Sequence, residues 1–376
     1  MKELYIVDSS YNQTSAGTNR LLAFGLALQK MGVRVTYFYL FPNKKKEKCG
    51  RYTDRLSYVY LWEDSPTSNK YLNTIRSIRK FMKIMKPEIP VYVYSLLNCI
   101  HFLRKKKSVC LYHEYTENPQ VIGKLGGFVG SYLYNKYKQT IPKLDGLFLI
   151  TPALCDMYIK DFGAKPEKTI LLNMIVDRKR FETLPDIEPT NKIAYCGILS
   201  EFKDGISILI KAFAKVVVKY PDYKLQLIGP FQNIDTELII RSLVYNLEIV
   251  DKVEFLGSVS PDEIPNLLKS SKILTLARPD NIQAKYGFAT KIGEYLMTNR
   301  PVVLTRVGAV ENYLKDGENC ILANPDDVEN FSEKLLWTIS HYEEAAKIGR
   351  QGMATVLQFF DSEKEAEKIY KTIFHE

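Results

Sequence analysis

Short, uninterrupted apolar runs alternate along this chain with longer stretches in which apolar residues recur every three or four positions. Leu4-Tyr5-Ile6-Val7 is the first such run, and a run without polar interruptions suits a strand covered on both faces in a parallel sheet. A polar loop from Asp8 to Ser15 follows, and Gly17 leads into a helix whose apolar stripe runs through Leu21, Leu22, Leu26 and Leu28. Gly32 ends that helix, and Val33-Arg34-Val35-Thr36-Tyr37 reads as the next strand. Strand, helix and strand with short joints form the βαβ unit of an open parallel sheet. Further strands are expected at Val91-Tyr92-Val93-Tyr94, Val109-Cys110-Leu111-Tyr112 and Gly146-Leu147-Phe148-Leu149-Ile150.

The same rhythm restarts after a stretch between Asn173 and Pro189 that is rich in charge and proline. Strands are expected at Lys192–Cys196, Leu225–Ile228, Val253–Leu256, Ile273–Leu276 and Val302–Leu304. Between them lie a helix from Ile206 to Tyr220, ended by Pro221, and helical stretches near 235–249, 261–271, 290–298 and 309–315. The expected fold is therefore α/β, with two Rossmann-like doubly wound domains facing a central cleft. Their bounds are expected at 1–178 and 179–355, with a helix over 356–376 packing back on the first domain. In such folds ligands bind at the carboxyl ends of the strands, so the chemistry belongs in the loops that follow them.

Composition narrows the class. The 376 residues are 46% hydrophobic and 25% charged, which is globular and excludes a disordered or fibrous chain. The six cysteines stand apart with no Cys-x-x-Cys pair, so neither a disulfide scaffold nor a zinc finger is expected, and a reducing compartment fits. Met1-Lys2-Glu3 leads straight into a strand, so no signal peptide is expected. The least charged long stretch, Ile89 to Leu103, is too short and too polar to span a bilayer.

Charge is distributed unevenly. Residues 1–180 carry 30 Lys and Arg against 14 Asp and Glu, and the remainder carries 22 against 29. Lys44-Lys45-Lys46 and Arg104-Lys105-Lys106-Lys107 are basic clusters in the first half. Nucleic acid, an anionic membrane and a phosphorylated substrate are the partners such a half suits; solvated loops are the competing reading. From Tyr71 to Lys86, one apolar face (Tyr71, Ile75, Ile78, Met82, Met85) accompanies Arg76, Arg79, Lys80, Lys83 and Lys86. A helix packed on the sheet with a charged outer face fits this pattern better than membrane insertion.

Four loops carry candidate chemistry. The hydroxyl-rich loop Ser9–Thr18 ends at Gly17 before a helix and suits an anion, although it has no Gly-x-Gly-x-x-Gly fingerprint. His113 follows a predicted strand in Tyr112-His113-Glu114 and could orient a hydroxyl or stabilise charge there. Lys203 lies in Gly197–Gly205, between strand and helix, where it could point at a phosphate; a surface lysine is the alternative. The richest stretch is Arg278-Pro279-Asp280 followed by Tyr286-Gly287-Phe288-Ala289-Thr290-Lys291-Ile292-Gly293-Glu294. A helix starting at Thr290 would present an anion-holding end, with Glu294 one turn on to accept two vicinal hydroxyls. Together these describe a nucleoside diphosphate site.

At these residues the chain resembles the family 4 retaining glycosyltransferases of the GT-B architecture, over most of its length and most densely from Asn173 to Asp326. Asn173-Met174-Ile175-Val176-Asp177 with Phe181 is similar to that family's "N-G-V-D…F" segment. Gly197 to Gly205 is similar to "G-R-L-x-x-x-K-G", and Gly287 to Leu296 to "G-F-P-T-K-L-x-E-Y-L". Val307-Gly308-Ala309-Val310-Glu311 and Asp316-Gly317 resemble the "G-G-x-x-E…D-G" run. The resemblance implies an acceptor domain first and a nucleotide-sugar donor domain second. It implies Lys203 on the donor diphosphate and Glu294 on the ribose hydroxyls. Gly287, Phe288, Ala289, Thr290 and Lys291 would contact phosphate and sugar, and Gly229 would line the donor. His113 would lie against the transferred sugar, and Gly17 would let its loop approach the donor.

Ile198 stands where the family usually has Arg, Tyr286 where it has the first Glu of a pair, and Ala16-Gly17 where it has two glycines. Arg278 is expected to supply the missing cation as a third catalytic group beside His113 and Lys203; a surface Arg bonded to Asp280 is the rival reading. The implied activity is transfer, with retention and without metal or other cofactor, from a UDP- or GDP-linked sugar to a saccharide or lipid-linked saccharide. No nucleic-acid partner is expected. The implied setting is cytoplasmic, with the basic half peripheral on the inner face of the plasma membrane. A nucleotide-sugar epimerase and a non-catalytic nucleotide-sugar-binding subunit are the alternatives.

Overall fold

A computed structural model describes residues 1–11, 15–42, 48–62, 70–96, 100–105, 108–119 and 127–375. The basic residues Lys44, Lys45, Lys46, Lys106 and Lys107 lie outside them. The chain divides into two units, Met1–Asn173 with Ser362–Glu376, and Met174–Asp361. The change of unit thus falls at Asn173 and Met174, ahead of the expected position after 178.

In chain order the first unit contains β1 (Glu3–Asp8), α1 (Ala16–Lys30), β2 (Arg34–Tyr39), β3 (Cys49–Arg51), β4 (Leu56–Tyr60), α2 (Lys70–Ile84) and β5 (Val91–Tyr94). It continues with α3 (Ile100–Leu103), β6 (Leu111–Tyr115), α4 (Gly127–Thr140), β7 (Gly146–Leu149), α5 (Pro152–Phe162) and β8 (Thr169–Leu171). Its sheet runs β3-β4-β2-β1-β5-β6-β7-β8, parallel throughout except for the β3–β4 edge pair. Leu4, Ile6 and Val7 of β1 and Val91, Tyr92 and Val93 of β5 are buried, as central parallel strands require. On α2, Ile78 and Phe81 turn inward, as does Met85 just after it, and the Phe81 ring meets Tyr5 and Phe38 edge-on. Arg76, Arg79, Lys83 and Lys86 stay exposed.

The second unit contains α6 (Lys179–Glu182), β9 (Thr190–Cys196), α7 (Glu201–Asp204), α8 (Ile206–Lys219), β10 (Lys224–Ile228), α9 (Ile234–Asn246), β11 (Val253–Gly257) and α10 (Ile264–Lys269). After these come β12 (Ser271–Leu276), α11 (Ile282–Tyr286), α12 (Thr290–Leu296), β13 (Val302–Thr305), β14 (Ile321–Ala323), α13 (Val328–Ser340) and α14 (Tyr342–Phe359). Its sheet is parallel, in the order β11-β10-β9-β12-β13-β14. Ile206, Leu209, Ile210, Phe213 and Val216 place one apolar face of α8 against this sheet.

A last helix, α15 (Ser362–Phe374), belongs to the first unit, where it packs on α1. Its buried Glu365 accepts from the backbone N–H of Asn173 at 2.7 Å, and Lys368 donates to the Leu171 carbonyl at 3.2 Å. Lys2 donates to the Tyr370 hydroxyl at 2.6 Å. The helix expected over 356–376 is thus two helices, because residues 356–359 continue α14 and the chain breaks at Phe360-Asp361. The helix expected near 309–315 is only a 3₁₀ turn, Val310–Asn312.

Candidate functional site

The second unit assembles its polar chemistry where β9, β10 and β12 end. Gly197 follows β9 with φ 152° and Gly229 follows β10 with φ 132°. A Cβ on Gly229 would collide with the Gly197 carbonyl, and one on Gly197 with the Lys291 ammonium. Both conformations favour glycine, and both positions admit no side chain. The Ser200 hydroxyl accepts from the Lys203 N–H at 3.2 Å and starts α7, a single turn. That turn leaves Lys203 exposed and buries Asp204 to 1% exposure.

Asp204 is the centre of the cluster. Its Oδ2 accepts from Lys291 Nζ at 2.7 Å and from the Tyr195 hydroxyl at 2.7 Å, and Lys291 also donates to Tyr195 at 2.9 Å. Arg278 Nε lies 3.8 Å from Asp204 Oδ1 and donates to the Lys203 carbonyl at 3.1 Å. Burial works to raise the Asp204 carboxyl, but Lys291, Tyr195 and Arg278 hold it below its usual range. Burial lowers the Lys291 ammonium, and Asp204 opposes that shift. With only 5% exposure, Arg278 is not the surface arginine of the rival reading.

On α12, Tyr295 accepts from the Cys196 N–H at 2.7 Å and ties the helix to the end of β9. Ala289 precedes α12 without a side-chain cap, Thr290 is exposed, and Phe288 turns inward against Tyr313 and Phe360. One turn on, Glu294 pairs with Arg180 of α6, whose Nη2 also donates to the Pro261 carbonyl at 2.7 Å. Burial raises the Glu294 carboxyl and Arg180 opposes it. Tyr286 ends α11, and Ile198 is exposed.

The structure therefore brings Lys203, Gly229, Arg278 and Lys291 into one connected cluster, with Gly287–Thr290 and Glu294 before and along α12. Sequence reasoning missed Asp204, Tyr195 and Arg180. Asp204 beside Lys203 reads locally as a solvated ion pair, and the other two are linked to their partners only through the fold.

Gly17 and His113 are in the first unit. Gly17 is the second residue of α1, and a Cβ there would lie 2.8 Å from the Tyr94 ring. His113 requires a correction: it sits inside β6, not after a strand, because the strand runs on through His113 and Glu114 to Tyr115. Its ring is buried, with Nδ1 at 3.0 Å from the Val93 carbonyl and Nε2 at 3.2 Å from the Tyr137 hydroxyl. Burial pulls the imidazole down to about 4, so it is neutral near pH 7. Both nitrogens are engaged within the unit. Next to it, Glu114 accepts from Arg20 Nε at 2.6 Å and from the Tyr92 hydroxyl. Asp8, at the end of β1, is pushed up to about 6 by burial, against hydrogen bonds from Ser9. Among the described residues no group of three His, Cys, Asp or Glu side chains is placed to hold a metal ion.

Residues 190–341, which contain the whole Asp204 cluster, match the family described as glycosyl transferases group 1. This stretch of the chain, the second unit's sheet and its site, is similar to the group 1 glycosyl transferases. The chain is 29% identical over 168 residues to N-acetyl-alpha-D-glucosaminyl L-malate synthase of Bacillus anthracis, covering 45% of this chain and 41% of that relative's length. Sucrose-phosphate synthase from Thermosynechococcus elongatus superposes with a TM-score of 0.79 over 100% of both chains at 17% identity. Anabaena HepE, in complex with UDP and glucose, does so with a TM-score of 0.78 over 99% of both at 16% identity. The fold of the chain is thus the two-domain GT-B fold, as its sequence led us to expect.

Proposed function

We propose that the protein transfers a sugar from a UDP- or GDP-linked donor to a saccharide or lipid-linked saccharide, with retention and without a metal. The second unit is the donor domain in this reading and the first unit the acceptor domain. The observation that carries it is the pair of buried cations, Lys291 and Arg278, around Asp204, with the exposed Lys203 next to it in the chain, at the strand ends that precede α12 and its Glu294. When the sugar–phosphate bond breaks, the acceptor oxygen takes the sugar and the departing diphosphate gains charge and the hydroxyl proton. Positive groups fixed in a dry site stabilise that charge without a divalent ion. Glu294 takes the ribose hydroxyls once it is released from Arg180. The bound UDP of HepE favours uridine as the base on this fold.

Incubation with a panel of UDP- and GDP-sugars, with and without chelator, tests the reading. We expect slow release of nucleoside diphosphate from one donor, unaffected by chelator, and an α-linked product from an α-linked donor. An isomerised donor with no release would make the protein an epimerase; tight binding without any turnover would make it a binding subunit.

The acceptor side is proposed to work against an anionic membrane on the cytoplasmic face. Among the described residues no helix is long and apolar enough to cross a membrane. The support is α2, whose exposed Arg76, Arg79 and Lys83 flank the exposed Leu72 and Ile84. The protein should sediment with vesicles containing anionic lipid at low salt and detach as salt screens the charge. Arg79→Gln with Lys83→Gln should weaken that binding, and equal binding to neutral vesicles would refute it.

A further inference from the structure

We propose that Asp204 is a positioning residue for the donor diphosphate: its buried carboxylate fixes the Lys291 ammonium against Gly197, leaving the third N–H of that ammonium for a phosphate oxygen. This rests on the donor reading above and adds to it a residue that touches no donor atom itself. Three observations lead to it. Lys291 uses two of its three donors, one on Asp204 Oδ2 and one on the Tyr195 hydroxyl. The absence of a side chain at Gly197 leaves room for Nζ, since a Cβ there would overlap it. Asp204 Oδ1 is buried without a hydrogen bond, facing Arg278 Nε across 3.8 Å. An oxygen so placed costs stability, so the carboxylate is poorly explained as packing alone.

The carboxylate also sets the charge of the group it holds. Burial, Arg278 and Lys203 all favour the neutral amine of Lys291, and Asp204 opposes them. The other titratable groups facing Lys291 are the Tyr195 hydroxyl and Cys196 thiol from β9 and Glu294 from α12 itself. Of these Glu294 is the one carboxyl, and it is already paired with Arg180. Removing the Asp204 charge while keeping its shape should therefore let Lys291 lose its proton at lower pH. An uncharged amine is a poor partner for phosphate.

The test is the pH dependence of UDP and GDP binding by calorimetry between pH 6 and pH 9.5. Wild type should hold its affinity to higher pH than Asp204→Asn. Asp204→Asn should bind nearly as well at pH 6 and lose about tenfold more than wild type by pH 8, the effect of a displacement of one pH unit or more. In Asp204→Asn/Lys291→Arg the loss with pH should vanish, since a guanidinium keeps its charge over this range. A wild-type pH profile in Asp204→Asn, or an unchanged slope in the double variant, would overturn the proposal. Failure of wild type to bind any nucleoside diphosphate would instead sink the donor reading.

A ligand-free readout separates the two. Amine-selective labelling of Lys291, located by peptide mass spectrometry, should be slow in wild type and faster at pH 8 in Asp204→Asn. Equal rates would overturn the role of Asp204 whatever the donor. If Asp204→Asn does not fold, wild type alone decides, because UDP or GDP should protect Lys291 from the reagent. Labelling that continues unprotected under saturating nucleotide would refute the proposal.

Discussion

Arg278→Ala will lower kcat by roughly 10²–10³, the scale of one lost transition-state donor, and will change donor affinity much less. The guanidinium is buried at the end of β12, with Nε held by the Lys203 carbonyl and facing Asp204. A group so constrained needs little reorganisation when charge develops on a leaving diphosphate. Its planar fork fits two phosphate oxygens with parallel bonds, which a lysine cannot imitate, so Arg278→Lys should recover only part of the rate. Arg306, which pairs with Glu311 and Asp316 on the surface after β13, supplies the control. Steady-state kinetics of both alanine variants, with thermal melts alongside, separate a loss of chemistry from a loss of fold. Turnover near the wild-type rate in both would exclude Arg278 from the chemistry.

The largest effect on stability is expected in the first unit. Arg20→Met should destabilise it by about 3–5 kcal/mol, because it strands a charged Glu114 in the interior. Arg20 is 6% exposed and Glu114 1%, at 2.6 Å, and Arg20 also bonds the Leu172 and Asn173 carbonyls at 3.0 and 2.6 Å. One side chain thus ties α1 to β6 and to the segment after β8. Arg20→Met/Glu114→Leu should recover much of the loss, since two apolar groups remove the unpaired charge along with the pair. Urea unfolding followed by tyrosine fluorescence measures both variants. A double variant less stable than Arg20→Met would show that the pair's other bonds, not its charge, hold the unit.

Parallel strands buried on both faces were the most legible part of this sequence. β9, β10, β11, β12 and β13 each begin within two residues of the apolar run that announced them. β4 escaped because its Tyr58 and Tyr60 are separated by Val59 in an unremarkable tyrosine-rich stretch, and what stabilises it is a set of tyrosine rings from β2, β4 and Tyr52. β3, β8 and β14 have three residues each, too few for a periodicity to register. In the site, Lys203 and Arg278 were visible as cations in loops after strands, and Lys291 and Glu294 through the motif that runs along α12. Asp204 was not, because an acidic residue beside a lysine reads as a solvated ion pair. Arg180 lies 114 residues from Glu294, so only the folded chain makes them partners. His113 and Glu114 were mistaken for the start of a loop because polar residues inside a strand carry no local sign of the partners that will satisfy them.

The return of α15 to the first unit has a consequence for how a ribosome delivers this protein. Glu365 satisfies the N–H of Asn173, and Lys368 the carbonyl of Leu171, yet all of Met174–Asp361 is translated between these partners. As synthesis proceeds, every strand of the first unit has been made before α15 exists to cover α1. The second unit, an uninterrupted piece of chain, can close as soon as it leaves the exit tunnel. The unit that starts first is therefore finished last, and until α15 arrives its exposed apolar flank on α1 is a natural place for a chaperone to act.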